Sequence, residues 1–292
     1  MSEPPETYDA ESRARYLGEL GTAGGSLLPI AEAALALASV ERARVDLGHY
    51  RGHLQVLARD VGRHAAGLQP AGSAGEGRSD LATQARALNE IILLKYGYSG
   101  DERTYDDPQN ANLMRVIDRR KGLPVALGIL YLHAARAQSW DMTGLAFPGH
   151  FLVRLADGPE RLILDPFHGG RICGAVELRG LLKAVSGEEQ ELLPEHYAPV
   201  SDRDILLRLQ NNIKTRLLQT GQRERALAVI ATMQLLAPDL AGLWYEAGAV
   251  EAQLGNLRAA IASFEAFVAR TPDGTARHQG AALIQQLKSR LQ

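Results

Sequence analysis

The chain has 292 residues, enough for two domains, since single hydrophobic cores rarely grow beyond roughly 250–300 residues. Its hydrophobic share of 46 % and charged share of 23 % are those of an ordinary globular protein. The net charge of −2 excludes a general electrostatic attraction to nucleic acid or to an anionic membrane surface. We therefore expect no nucleic-acid partner and no membrane partner, and any ligand must be recognised at a local site.

Three further features predict a cytoplasmic location. Residues 1–8 are polar and acidic, unlike the basic start and apolar core of a signal peptide. No apolar run reaches the roughly 18 residues of a membrane span. Cys173 is the single cysteine, so an internal disulfide is impossible, which fits a reducing compartment.

The N-terminal part of the chain is predicted to be a flexible tail, residues 1–25, followed by helices over about 27–40 and 43–66. His49 and His53 lie four residues apart, a spacing that can bind a metal ion. Because no third ligand or supporting acid lies nearby in the sequence, we interpret both as ordinary surface or core histidines. No metal is expected there.

A stretch rich in glycine and serine, residues 69–80, predicts a surface loop or linker. Helices are then predicted over 81–96 and 113–120. The most apolar part of the chain begins at Gly122-Leu123-Pro124 and predicts a nearly buried helix to about Gln138. Proline suits the first turn of that helix, where its missing N–H has no partner to lose.

Polar and apolar residues alternate on both sides of Asp157-Gly158, a pattern that predicts a β-hairpin with these two residues as its turn. This register places His150 opposite Asp165. Directly opposed side chains have Cβ atoms about 5 Å apart. The sequence therefore predicts a His150–Asp165 pair, which is two thirds of a hydrolase triad.

The C-terminal part of the chain repeats itself with the 34-residue period of a tetratricopeptide repeat. Three positions carry the same residue type in both units: Gly221 and Gly255, Ala226 and Ala260, Pro238 and Pro272. A last helix over about 276–291 is predicted to cap the repeats. We thus predict a flexible tail over 1–25, a first domain over 26–199 and a repeat domain over 200–292, which docks on the rest because two repeats are few for an independent solenoid.

Four segments carry a family resemblance: Tyr105-Asp106-Asp107-Pro108-Gln109-Asn110, Gly122-Leu123-Pro124, Pro148-Gly149-His150-Phe151-Leu152-Val153-Arg154 and Leu164-Asp165-Pro166-Phe167-His168-Gly169-Gly170. Together they resemble the transglutaminase-like domain of bacterial invasion-regulator (Sir) B-type proteins, whose members continue into tetratricopeptide repeats. The resemblance covers about residues 30–290. It implies an α+β fold: a papain-like, transglutaminase-like core with a small antiparallel sheet, N-terminal helices and a C-terminal α-helical tetratricopeptide module.

The resemblance also assigns the residues of a degenerate triad. In catalytic transglutaminase-like enzymes the helix begins Gly-x-Cys, and carrying that pattern over puts Pro124 at the nucleophile position. His150 and Asp165 match the histidine and the acid of the family. Cys173 lies beyond Asp165 and not at the helix start, so we interpret it as a small, partly buried residue and not as a reactive thiol.

Three roles stay open for the His150–Asp165 pair: a structural hydrogen bond, ligand recognition, and catalysis. A helix N-terminus beside an imidazole can hold an anion, so the cleft can bind a peptide without a nucleophile. We predict a bacterial pseudoenzyme, a regulatory factor that binds a protein or peptide and uses no cofactor and no metal. The alternative is a hydrolase or acyl transferase on peptide or amide substrates, with His150 as base, Asp165 as its orienting acid, and water or Cys173 as nucleophile.

Overall fold

The computed structural model describes residues 4–25, 27–68, 80–145, 147–186 and 191–291. The chain divides into two compact units. One comprises Met1–Gly24, Ser39–Arg44 and Gln210–Gln292, and the other comprises Gly25–Ala38 and Val45–Leu209. The linker predicted over 69–80 lies outside the described residues except for Asp80. No helix in the described ranges is long and apolar enough to cross a membrane.

In chain order, the described α-helices are α1 (Ala10–Thr22), α2 (Ile30–Ala38), α3 (Gly48–Leu68), α4 (Leu81–Asn89), α5 (Leu113–Arg119), α6 (Pro124–Arg136), α7 (Ala175–Ser186), α8 (Asp202–Gln219), α9 (Arg223–Leu236), α10 (Ala241–Gln253), α11 (Leu257–Arg270) and α12 (Thr275–Ser289). The strands are β1 (Ser99–Gly100), β2 (Lys121–Gly122), β3 (Asp141–Leu145), β4 (Leu152–Asp157), β5 (Glu160–Asp165), β6 (Arg171–Ile172) and β7 (Pro199–Val200). A π-helical segment, Glu90–Lys95, extends α4, and 3-10 helices cover Pro108–Ala111 and Pro194–Tyr197.

The first helix corrects the prediction of a flexible tail over 1–25. Asp9 caps α1, because its carboxylate accepts the N–H of Ser12 at 2.8 Å while the Ser12 hydroxyl accepts the N–H of Asp9 at 3.1 Å. Tyr16, Leu17 and Leu20 lie on one side of the helix and are buried. The polar start of the chain therefore conceals an amphipathic helix, whose apolar residues recur at helical spacing.

Small residues bring the helices of the C-terminal repeats close together, as the sequence pattern predicts. A Cβ added to Gly248 in α10 would lie 3.0 Å from the ring of Phe264 in α11. A Cβ added to Gly280 in α12 would lie 2.9 Å from the ring of Phe267, also in α11. Each glycine therefore allows an aromatic ring of the next helix to pack against backbone.

The larger unit is built on a five-stranded antiparallel sheet in the order β6-β5-β4-β3-β7. One face packs on α6: a Cβ added to Gly128 would lie 2.3 Å from the ring of Phe151, beside the start of β4. All residues from Pro124 to Leu132 are buried, as predicted for this apolar helix. Because strand side chains alternate, Leu152 points to the other face, where it forms a core cluster with Leu178 and Leu182 of α7, among others.

The structure has the predicted α+β class, with N-terminal helices, a small antiparallel sheet and helical repeats at the C-terminus. The hairpin register, however, differs from the prediction. Val153 pairs with Leu164 and Asp157 pairs with Glu160, so the turn consists of Gly158 and Pro159.

Proline explains this difference in register. A turn at Asp157-Gly158 would place Pro159 in the ladder, where it has no N–H to donate, whereas the observed turn needs no donor from it. Gly158 has a φ of 55°, which suits glycine at the first position of a tight hairpin turn. The register shifts by two residues. Strand side chains alternate with a period of two, so every side chain stays on its predicted face of the sheet.

Candidate functional site

Asp165, at the end of β5, is the centre of the candidate site and is fully buried. Its Oδ1 lies 2.9 Å from His150 Nε2 and accepts the backbone N–H of Phe167 at 3.1 Å and of His168 at 3.3 Å. Its Oδ2 lies 2.6 Å from His168 Nδ1. Burial alone would raise the pKa of Asp165, but the hydrogen bonds and charges of the two histidines outweigh it and lower that pKa. The carboxylate is therefore ionised and holds both imidazoles.

His150 meets Asp165 as predicted, although by a different route. It lies before the first residue of β4, so the contact is made from a turn and not from a strand pair. Gly149, with a φ of 67°, provides the left-handed conformation of that turn. The His150 side chain keeps 12 % of its surface exposed, which leaves its ring partly accessible.

Arg208 of α8 fixes the turn that carries His150. Its guanidinium donates to the carbonyl oxygen of His150 at 2.7 Å and to that of Phe147 at 3.4 and 3.5 Å. Its cation lies over the Phe151 ring, 5.8 Å from the centroid. No local pattern in the sequence points to Arg208, because it lies 58 residues from His150 along the chain.

We expect Arg208→Met to destabilise the larger unit by about 2 kcal/mol, since the two carbonyl oxygens lose their charged donor while the alkyl packing is kept. Urea unfolding measures this change. Arg63→Met, at an exposed position of α3, is the control and should change the free energy of unfolding by less than about 0.5 kcal/mol. Equal effects of the two substitutions would contradict the role of Arg208.

His168 is a site residue to which the sequence pattern assigns no role. It is 39 % exposed and its ring stacks on that of His150, with centroids 5.8 Å apart and an interplanar angle of 28°. The ring of Phe167 meets both imidazoles edge to face. The signal that could have found His168 is its position three residues after Asp165, immediately before two glycines. The site is therefore a buried carboxylate with two imidazoles, not one.

Asn89, at the end of α4, and Tyr131 of α6 hold the loop after Asp165 in place. Asn89 Nδ2 donates to the carbonyl oxygen of Gly170 at 2.8 Å, and the Tyr131 hydroxyl donates to Asn89 Oδ1 at 3.1 Å. Burial, and then the charge of Asp165, raises the pKa of Tyr131, so the phenol keeps its proton as a donor. Gly169 and Gly170 have φ values of 69° and 72°, which favour glycine.

Gly170→Ala tests this support. The added Cβ would lie 1.8 Å from Asn89 Oδ1 and 2.6 Å from the Tyr131 hydroxyl, in addition to the strain of a positive φ. Gly158→Ala is the matched control, because it has a φ of 55° with nothing within 4 Å of the added Cβ. We expect the control to lose about 1–2 kcal/mol in free energy of unfolding and Gly170→Ala to lose a further ~1–3 kcal/mol. Equal losses in thermal or urea unfolding would show that the loop relaxes freely.

A second loop, after β1, lies against the same site. Gly100 donates its N–H to the carbonyl oxygen of Phe167 at 3.1 Å, and the ring of Tyr105 meets that of Phe167 at 5.7 Å. Asp101 holds this loop by accepting from the Thr104 hydroxyl at 2.6 Å and from Arg119 at 2.9 Å. The hydrogen bond from Thr104 is the main cause that lowers the pKa of Asp101 to about 2, so this carboxylate is ionised.

A cleft of about 480 Å³ opens between these two loops. Ser99–Arg103 and Lys121 line one side and Phe167–Gly169 line the other, with Leu93 completing the wall. The exposed edge of His168 thus faces a space of the size that small ligands and peptide side chains occupy. Lys121 Nζ donates to Ser99 Oγ at 2.7 Å in the same cleft.

Pro124 and Cys173 lie at positions that supply no activated nucleophile. Pro124 is the first residue of α6 and is buried, and a proline ring nitrogen in a peptide has no hydrogen. Cys173 is 5 % exposed, and burial, followed by the charge of Asp165, raises the pKa of its thiol to about 11. The thiolate is the reactive form, so Cys173 has the opposite of an activated thiol environment.

His150, Asp165 and His168 offer ligand atoms within 4.8 Å of one another, so they form a set that could bind a metal ion. Two features disfavour a cation there. Asp165 Oδ1 already accepts two backbone N–H groups, and Arg171 places its guanidinium 4.0 Å from Oδ2. The arrangement is better suited to holding two oriented imidazoles than to coordinating a metal.

His53, one of the two histidines at metal-binding spacing, is half-buried in the larger unit. Its Nε2 accepts from Arg120 at 2.9 Å and contacts the Tyr98 hydroxyl at 2.7 Å. Burial, and then the charge of Arg120, lowers the pKa of His53 to about 4. This histidine is therefore neutral, and its Nε2 contacts Arg120 and Tyr98.

Comparison of the chain with known proteins shows which family it belongs to. The sequence profile of the transglutaminase-like superfamily matches residues 48–211, which are more than half of the chain and include Pro124, His150 and Asp165. The chain belongs to the transglutaminase-like superfamily. A tetratricopeptide-repeat profile matches residues 213–285 of this transglutaminase-like protein, and this confirms the predicted order of the two modules.

Bacterial relatives of this transglutaminase-like protein align with about two thirds of their length. The "UPF0162 protein" of Xylella fastidiosa strain Temecula1 is 32 % identical over 189 residues, which cover 64 % of this chain and 67 % of that protein. The "UPF0162 protein" of Vibrio cholerae is 30 % identical over 198 residues, covering 68 % and 73 %. A crystal structure of menin aligns with 91 % of this chain and 71 % of its own at 11 % identity, but its TM-score of 0.43 is too low to indicate a shared fold.

Proposed function

We propose that this protein is a non-catalytic transglutaminase-like factor that binds a protein or peptide partner and has a regulatory role. The observation that carries the proposal is Pro124 at the start of α6, where catalytic transglutaminase-like enzymes have cysteine. Its buried ring nitrogen cannot attack a carbonyl carbon. The His150–Asp165 pair is intact, with 2.9 Å between Nε2 and Oδ1, but has no activated thiol to serve.

The cleft and the repeats support binding as the function that remains. The cleft of about 480 Å³ is lined by the backbone of two glycine-containing loops, by the ring of Phe167 and by charged groups of both signs. Such a surface can accept peptide hydrogen bonds and one or two side chains. Tetratricopeptide repeats in general present extended surfaces to partner proteins, so two binding elements lie on one chain.

We further propose that the protein is of the invasion-regulator (Sir) B type and acts in the bacterial cytoplasm. The support for the type is the order of modules, a transglutaminase-like domain followed by tetratricopeptide repeats. The support for the compartment is the composition of the chain, with its single cysteine. We propose no cofactor, and no nucleic-acid or membrane partner.

One observation favours a second function, a hydrolase or acyl transferase on peptide or amide substrates. The geometry of His150 and Asp165 is that of a base held by its orienting acid, and a water could take the place of the thiol. Cys173 is a poor candidate for that nucleophile, because the pKa of its thiol is raised to about 11. This alternative is kept because a base without a nucleophile can still activate water.

Both functions are tested on the full chain with defined probes. A display library of random twelve-residue peptides is selected on the wild-type protein, and the enriched peptides are titrated against wild type and against His168→Ala. Release of ammonia from glutamine-containing peptides and hydrolysis of p-nitrophenyl acetate are measured in parallel, with His150→Ala as the control.

We expect peptides that bind saturably and lose about tenfold or more in affinity in His168→Ala, which removes the exposed imidazole of the cleft. We expect turnover by wild type at the level of His150→Ala. Turnover that His150→Ala abolishes would replace the binding proposal with the hydrolase alternative. Peptides that bind His168→Ala as tightly as wild type would remove the cleft from the proposal.

A further inference from the structure

On the face of the main sheet that packs against α7, two neighbouring polar groups have no hydrogen-bond partner in the described part of the chain. Thr143 of β3 and Arg154 of β4 are directly paired residues, so their side chains share that face. Thr143 Oγ1 and Arg154 Nε are buried and have no hydrogen-bond partner among the described residues. Buried polar groups are nearly always satisfied by protein, water or ligand. A water or a polar ligand beside this pair would satisfy both groups.

A cavity of about 420 Å³ lies directly beside Arg154. Its wall includes Arg161, Ile163 and Ile172 from the sheet, Leu178 from α7, and Tyr197. No acidic side chain is among the described residues that line it. The cavity therefore combines two positive charges with a largely apolar wall.

We propose that this cavity binds a small monoanion with an apolar body, in the chemical class of a medium-chain carboxylic acid. The guanidinium of Arg154 presents a fork of donors that matches a carboxylate, and its unpaired Nε is one arm of that fork. The alkyl chain lies along Ile163 and Leu178, where it replaces water against apolar surface. The volume falls within the roughly 300–1,000 Å³ of small-molecule sites.

This site is separate from the cleft at His168. The cavity and the cleft share no described lining residue. Arg154 belongs to the same sequence segment as His150, but His150 lies in the turn before β4 and contacts Asp165, whereas Arg154 lies within β4 and lines the cavity. The inference does not depend on the proposed function, and either can fail alone.

Titration of decanoate into the full chain by isothermal calorimetry tests the inference. We expect saturable binding of one decanoate per chain, and affinity for decanol weaker by about tenfold or more, because the alcohol has the chain without the charge. Arg154→Met should weaken decanoate binding by a similar factor. Arg179→Met, an exposed position of α7 outside the cavity wall, is the matched control and should bind as wild type does.

A second variant keeps the test decisive if Arg154→Met does not fold. Ala175→Trp, at the exposed start of α7, places an indole into the cavity while both arginines are kept, and should abolish binding. Three results would each overturn the inference: no saturable binding by wild type, equal affinities for decanoate and decanol, or full affinity in Ala175→Trp.

Discussion

Asp165→Asn is expected to lower the free energy of unfolding at pH 7 by about 3–5 kcal/mol. The substitution keeps the shape of a fully buried group but removes the charge that two imidazoles and two backbone N–H groups contact. It also turns one oxygen into an amide donor, which must then face His150 or His168. Chemical unfolding of wild type and variant measures the loss.

The sign of the pH dependence follows from the lowered pKa of Asp165. Its ordinary value is 3.8, and the folded protein holds it below that value. The carboxylate therefore contributes stability that is fully present above about pH 4 and is lost as the pH falls through the folded-state pKa. The difference between wild type and Asp165→Asn should stay constant from pH 7 to about 5 as far as this carboxylate is concerned and shrink below pH 4.

Asp141→Asn supplies the control for this experiment, because Asp141 is exposed at the start of β3. It should change the free energy of unfolding by less than about 0.5 kcal/mol at every pH. If Asp165→Asn behaves like this control, the carboxylate does not hold the two imidazoles. His150 and His168 would then be two solvated histidines without an anchoring charge.

The sequence predicts the His150–Asp165 contact for a reason that is only partly correct. The alternation of residues identifies both strands, but a rule for turn dipeptides favours Asp157-Gly158 over the neighbouring Gly158-Pro159. The error leaves every strand side chain on its predicted face of the sheet, because the register shifts by two residues, an even number. The contact itself is made by a turn, which a strand pattern cannot describe.

The parts of the site that sequence reasoning missed depend on contacts distant along the chain. Arg208 holds the His150 turn from 58 residues away, and Asn89 holds Gly170 from 81 residues away. Periodicity is a local signal and contains no information on such pairs. The sequence does contain a signal for His168. Two consecutive glycines follow it directly, and such glycines are typical of a tightly turned loop with positive φ, which the structure has.

Pro124→Cys is expected to create the thiol reactivity that the wild-type chain lacks. The substitution is made in a Cys173→Ser background, so that the introduced thiol is the single thiol of the chain. A cysteine at the N-terminus of α6 gains from the positive end of the helix and, in the arrangement of catalytic transglutaminase-like enzymes, from the His150 imidazole. We expect its pKa to fall below the ordinary value of about 8.5 and p-nitrophenyl acetate hydrolysis to rise by about 10²–10³-fold over the parent.

Adding His150→Ala to Pro124→Cys separates a reconstructed pair from a merely accessible thiol. If His150 acts as the base, this second substitution should return hydrolysis and iodoacetamide alkylation to the rates of an ordinary surface cysteine. Circular dichroism establishes that the fold is kept, since proline at the first helical position is replaceable at little cost. A thiol whose reactivity is ordinary with and without His150 would mean that Pro124 does not occupy the nucleophile position, and the interpretation as a degenerate triad would be wrong. A reactive thiol that depends on His150 would mean that the site kept the geometry of a thiol enzyme after its nucleophile was replaced.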